Sequence, residues 1–220
     1  MNTRFGRNWH RALAHAAALA PLAVLAARWL RDDLPLNLTR YLMLRSGSLA
    51  LILLVAALAC TPVRTLFGWQ RAVQIRRPLG LYAFAYAVAH LLVYAWVENA
   101  ADLRLIWRDL GERRAMSAGL AGLLLLVPLA ATSTAGWQRR LGRRWRALHR
   151  LVYPAAALAV LHYYWLERDD VRAPIAYAAV VGALLAVRLP PVRRAIARAR
   201  HRLLPTRAAL GRSARQDHPR

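Results

Sequence analysis

Six stretches of this 220-residue chain are apolar over about the length that crosses a bilayer, and that recurrence leaves few folds open. They run roughly from Ala12 to Leu30, Leu42 to Thr61, Leu79 to Val97, Ser117 to Thr134, Leu148 to Leu166 and Pro174 to Leu189. Because a lone strand cannot satisfy its backbone in hydrocarbon, continuous Ala/Leu-rich runs predict helices. The expected fold is an all-α integral membrane protein: a bundle of six transmembrane helices over residues 1–189, followed by an Arg-rich cytoplasmic tail over 190–220. No internal repeat and no long soluble insertion is evident. A hydrophobic content of 58% agrees, since soluble domains average about 45–50%.

All 33 basic residues are Arg, and their distribution orients the bundle. With the N-terminus in the cytoplasm, 23 arginines fall on the inner side and nine of the ten acidic residues on the outer side, as the retention of positive charge in cytoplasmic loops requires. Both termini are therefore expected to be cytoplasmic. Trp9, Trp69, Trp137 and Trp145 fall at or near inner ends, and Trp29, Trp96, Trp107 and Trp165 at or near outer ends, where indole rings favour the headgroup layer. Cleaving the first apolar run as a signal peptide would reverse the count, so it reads as a retained span. The net charge of +23 points to a membrane surface rather than nucleic acid, because a juxtamembrane polybasic tail meets anionic lipid. The lone Cys60 excludes a disulfide framework and Cys-based zinc or iron–sulfur centres, and reads as a small buried side chain.

The seven histidines divide by depth. His10, His201 and His218 fall in basic stretches expected to be solvated or interfacial, and His15 reads as a hydrogen bonder between helices. His90, His149 and His162 lie within spans, where ionisable groups mark ligands, relays or substrate paths. His90 and His162 share an outer-half depth on the third and fifth spans. Ala83 and Ala87 precede His90 by seven and three residues, and Ala155 and Ala159 precede His162 by the same intervals, so each imidazole shares its helix face with small residues. That pattern leaves room for a flat macrocycle held from both sides. A proton relay and simple interhelical hydrogen bonding are the rivals, the relay being weakened because no Asp or Glu lies in any span.

His149 starts the fifth span at the inner side, about 20 Å along the axis from His162 and on a different face of a straight helix. Pro154 between them predicts a kink or bulge. Thirteen and fourteen residues before His90 stand Arg77 and Arg76 rather than a second histidine.

The segments "RRPLGLYAFAYAVAHLLVYAW" (Arg76 to Trp96), "TSTAGWQRRLGRRWRALHRLVYPAAALAVLHYYW" (Thr132 to Trp165) and "ACTPVRTLFGW" resemble the MsrQ family, formerly YedZ, within the ferric-reductase-like transmembrane group. The resemblance runs from about Leu42 to Leu166. It implies a bacterial inner-membrane subunit carrying one or two b-type haems. Such a subunit passes electrons from a cytoplasmic flavin reductase or the quinone pool to MsrP, a periplasmic molybdopterin reductase that repairs methionine sulfoxide in oxidised proteins. The sulfoxide-reducing site would then lie on the partner. The resemblance carries the haem-iron ligands onto His90, His149 and His162 and implies FMN as a further cofactor. Arg76 and Arg77, with Arg143 and Arg144, are candidates to pair with haem propionates, an FMN phosphate or an acidic donor. Related eukaryotic NADPH oxidases carry two histidines on each ligand helix, whereas the third span here carries one. No Gly-rich nucleotide fingerprint is present, so NAD(P)H would be oxidised elsewhere. The alternatives are a metal- or quinone-linked haem reductase, and a cofactor-free membrane transporter or scaffold.

Overall fold

The computed structural model describes residues 5–192, 194, 195 and 198, with side chains from Trp9 onward. His201, His218 and most of the expected tail lie outside these residues. Among the described residues all regular structure is helical: α1 (Phe5–Leu30), α2 (Leu38–Phe67), α3 (Arg71–Leu92), α4 (Leu103–Glu112), α5 (Arg114–Ala131), α6 (Ala135–Leu141), α7 (Arg143–Leu148), α8 (Val152–Leu166) and α9 (Arg172–Ala186). A π-helical turn, Val93–Glu98, continues α3, and a 3-10 turn, His149–Leu151, joins α7 to α8.

All six apolar runs fall on helix, but among the described residues four helices are long and apolar enough to cross a membrane: Trp9–Leu30, Leu38–Phe67, Arg71–Glu98 and Arg114–Ala131. The fifth and sixth runs form α8 and α9 of 15 residues each, which at 1.5 Å per residue reach about 22 Å. Their boundaries have local causes. α8 begins only after the 3-10 turn, with Pro154 in its first helical turn, where a missing N–H removes no helix bond. The expected irregularity between His149 and His162 is thus a break before α8 rather than a kink within it. α9 gives way to a turn at Val187 and Arg188, just before Pro190 and Pro191.

Caps fix the longer elements. The Asn37 side chain accepts from the Arg40 amide at 2.8 Å, and Gly68, at φ 71°, closes α2 by returning its N–H to the Arg64 carbonyl. Packing between helices relies on small side chains: Ala14, Ala18, Ala57, Ala83, Ala155 and Ala156 are buried, while Leu13, Leu22, Ile52, Leu124 and Ile175 face outward. Leu54 and Leu58 are buried beside these alanines, and the many large apolar residues left facing outward suit a lipid solvent, where helices gain from close approach. The principal helix pairs are α2 with α3 and α5 with α8.

α1 joins α3 through polar contacts: the Tyr86 hydroxyl donates to the Ala18 carbonyl at 2.6 Å, and His15 Nδ1 meets the Tyr82 hydroxyl at 2.9 Å. His15 is therefore the helix-packing bonder its depth suggested. His10 is not solvated as expected; it is buried, with Nε2 2.9 Å from the Gln74 side chain of α3. Its face of α1 lies against α3, while Arg11 beside it is exposed. Cys60 is buried, with its thiol directed to the Ala56 carbonyl.

Candidate functional site

His90 and His162 meet near the C-terminal ends of α3 and α8, in the half of the bundle expected from the arginine count to be the outer one. Their ring centres are 6.2 Å apart and their planes 81° from parallel. Each ring crosses from its own helix to a neighbouring one and is held there in the same way. His90 of α3 places Nδ1 3.0 Å from the Met43 carbonyl of α2, and His162 of α8 places Nδ1 2.6 Å from the Ala115 carbonyl of α5. The Ser46 hydroxyl lies 3.3 Å from His90 Nδ1 and itself donates to the Leu42 carbonyl at 2.6 Å.

A carbonyl only accepts, so Nδ1 must carry the proton in both rings and each Nε2 keeps a free lone pair. Among the described residues no hydrogen bond reaches either Nε2. This is the tautomer and the backbone anchor that orient a metal-ligating imidazole. Two imidazoles bound on opposite sides of one metal, with metal–nitrogen bonds of about 2.0 Å, hold their ring centres about 6 Å apart. The observed spacing fits that arrangement.

Among the described residues no group of three or more His, Cys, Asp or Glu gathers here. A bare transition metal wants about four protein donors, whereas a porphyrin brings its own equatorial four and needs only the two axial imidazoles. The pair therefore fits haem better than a free ion. Ala83 and Ala155, each two turns before its histidine on the ligand helices, are buried and present nothing bulkier than a methyl group.

His149 is not brought alongside this pair. It lies at the inner end, with Nε2 3.2 Å from the Thr132 hydroxyl and its ring stacked on Trp145 at 4.0 Å between centres. The Trp145 indole donates to the Thr132 carbonyl at 3.0 Å, so the end of α5 and the start of the fifth apolar run are tied together around this histidine. Arg76 is half-buried on the first turns of α3, with Nη1 3.5 Å from the Thr61 hydroxyl; Arg77 beside it is exposed. A second guanidinium, that of Arg188, donates to the Leu58 carbonyl and lies 5.1 Å from the centre of the Tyr153 ring.

The outer end is closed by a latch. The Tyr94 hydroxyl, on the π-turn after His90, donates to the buried Asp109 carboxylate of α4 at 2.8 Å, and Arg113 approaches the other oxygen at 3.4 Å. The segment between the third and fourth apolar runs is largely the short helix α4, whose Asp102 side chain caps it by accepting from the Arg104 amide. Trp107 and Leu103 on α4 remain exposed.

Two features of the site were missed in the sequence: the carbonyl anchors at Met43 and Ala115, and the glycines Gly47 and Gly119 against which the rings lie. A carbonyl leaves no mark in a sequence. The glycines do, because each stands the same number of residues before its histidine.

Residues 46–160 match the family described as the ferric reductase like transmembrane component. The chain is 48% identical over 180 residues to the protein-methionine-sulfoxide reductase heme-binding subunit MsrQ of Rhodospirillum rubrum, covering 81% of this chain and 86% of that relative. It is 43% identical over 183 residues to the protein of the same name from Xanthomonas axonopodis pv. citri, covering 80% and 84%. No solved structure matches it.

Proposed function

The chain belongs to the MsrQ family within the ferric-reductase-like transmembrane group, and on that premise we propose that it is a b-type haem subunit of the bacterial inner membrane. Electrons pass through it from a cytoplasmic flavin reductase or the quinone pool to a periplasmic molybdopterin methionine-sulfoxide reductase, MsrP. In this reading all six apolar runs cross the bilayer and both termini are cytoplasmic. The arginine asymmetry supports that orientation. The short α8 gains length from the 3-10 turn and α7 that precede it.

One observation carries the proposal: two imidazoles from different helices, each with Nδ1 on a backbone carbonyl, whose ring centres stand 6.2 Å apart. His90 and His162 would hold the haem iron from its two faces. Haem bound in this way supplies a one-electron couple with no open coordination position, which suits electron transfer rather than oxygen chemistry. The protein's part is to present both Nε2 atoms deprotonated, to hold the rings near perpendicular, and to keep water out with the alanine faces of α3 and α8.

At the inner end the proposal assigns His149 to the electron-entry side, as ligand to a second haem or as neighbour of FMN. Arg76 and Arg77 supply positive charge for a propionate or phosphate there. The polybasic tail, residues 190–220, meets anionic lipid.

The dithionite-reduced chain in lipid nanodiscs, freed of excess dithionite and mixed with a catalytic amount of the molybdopterin reductase, is fully reoxidised on adding methionine sulfoxide and not when either is omitted. A reduced chain that stays reduced beside an active partner would contradict the assignment. With the cytoplasmic flavin reductase in place of dithionite, His149→Ala retains the absorbance of the outer haem and is reduced more slowly. Unchanged reduction kinetics and an unchanged haem count would remove His149 from the pathway.

A further inference from the structure

The two histidine seats repeat at a fixed interval. Met43, Gly47 and His90 are followed, each 72 residues later, by Ala115, Gly119 and His162. In both sets the carbonyl that receives the imidazole proton precedes its histidine by 47 residues. The register extends along the helices: Ala83 and Ala87 correspond to Ala155 and Ala159, without insertion or deletion. The chain thus contains an internal repeat that its sequence alone did not disclose. The matching residues are common Ala and Leu, and only the contacts single out the few that matter.

Both copies follow the same helix order, α2 into α3 and α5 into α8. The copies diverge at the inner end. α2 and α3 are joined by a short turn closed by Gly68, whereas α6, α7 and a 3-10 turn fill the same interval in the second copy. There His149 corresponds to Arg77, so the inner histidine has no counterpart.

Each glycine follows its carbonyl by four residues on the same helix. Because side chains lean toward the helix N-terminus, the Cβ of that residue overhangs the carbonyl one turn back. A Cβ at Gly47 would lie 3.0 Å from His90 Cε1 and 3.1 Å from its Nδ1; one at Gly119 would lie 2.7 Å from His162 Nδ1 and 2.8 Å from its Cε1. Both rings occupy the space that a side chain would take. A side chain at either position would push the ring away from its carbonyl, more so at Gly119.

We propose that Gly47 and Gly119 are paired positioning residues of a duplicated imidazole seat: each lets its histidine lie flat on the neighbouring helix, donate Nδ1–H to the carbonyl four residues earlier, and aim Nε2 at a shared metal. The proposal rests on the reading of His90 and His162 as haem ligands. It predicts that the two glycines act alike although they sit on different helices, and that Gly119 is the more demanding because its contact is the shorter.

The test is haem occupancy and the low-spin ferric EPR spectrum of Gly47→Ala and Gly119→Ala in the full-length membrane protein. That spectrum responds to the angle between the imidazole planes, which a merely structural effect would leave alone. Loss of an orienting partner weakens a metal site by about 10–100-fold, so we expect partial loss of haem in Gly47→Ala, greater loss in Gly119→Ala, and an altered EPR signal in what remains. Gly80→Ala is the control: it lies on α3 with nothing within 4 Å of its added carbon, and should retain haem and spectrum. If Gly119→Ala fails to accumulate, Gly47→Ala gives the same answer through its milder contact.

Wild-type occupancy and EPR in both glycine variants, with haem lost from His90→Ala, would overturn the proposal and leave the ligands standing. Full haem in both His90→Ala and His162→Ala would instead overturn the ligand reading itself.

Discussion

His90→Ala and His162→Ala each lose the haem of the outer site, whose occupancy per chain falls by about tenfold or more. The effect is expected to be large on either side because the protein supplies only these two imidazoles, so removing one halves its hold on the iron. Each ring also loses its purpose in the packing: without His162 the Ala115 carbonyl keeps its helix bond but no longer receives Nδ1–H. A stability cost of about 1 kcal/mol for one lost hydrogen bond is small beside the loss of a ligand. The variants should therefore still insert as helical proteins, and absorbance of the purified chain, normalised to protein, separates ligand loss from misfolding. If both variants keep full haem, the assignment fails.

A larger side chain at Gly122 produces the second large effect, through packing alone. A Cβ there would lie 3.4 Å from Leu158 Cβ and 3.5 Å from the Ala155 carbonyl oxygen of α8. These are ordinary contacts, so Gly122→Ala should be accepted with haem intact. Gly122→Leu must drive three more carbons toward the α8 backbone, and overpacking of this kind costs about 1–3 kcal/mol. The strain is relieved by moving α5 from α8, which carry the Ala115 carbonyl and His162 respectively. Lower thermal stability and loss of haem together are the expected outcome, measured as the melting temperature in detergent and haem per chain. Wild-type values for both in Gly122→Leu would show that this helix contact does not govern the site.

The helical class and the pairing of His90 with His162 were legible in the sequence because each rests on one strong signal. Continuous apolar runs exclude strands, and an uncharged span makes an isolated histidine conspicuous. Side chains that change environment within one helix were harder. His10 sits among Arg7 and Arg11 and reads as wet, yet its face of α1 turns to Gln74. The lengths of the fifth and sixth helices were likewise obscured, because hydropathy does not distinguish an α-helix from the 3-10 turn at His149–Leu151. The glycine seats lay hidden for a different reason. A glycine in an Ala/Leu-rich run signals close approach without naming the partner, and only the contacts identify it as an imidazole.

His149 marks the boundary of what symmetry explains. Its counterpart in the first copy is an exposed arginine, and its own Nε2 meets a threonine hydroxyl rather than a second histidine. The outer site is thus a property of the duplicated hairpins, and the inner end is where the copies differ in both structure and chemistry.

Haem held between His90 and His162 has a direct optical signature. The most direct measurement is the dithionite-reduced minus oxidised visible spectrum of the purified full-length protein, with haem counted per chain by extraction. A sharp b-type α-band, with at least one haem per chain that disappears in His162→Ala, is the predicted result. A colourless protein, expressed with haem in ample supply and correctly inserted, would contradict the account.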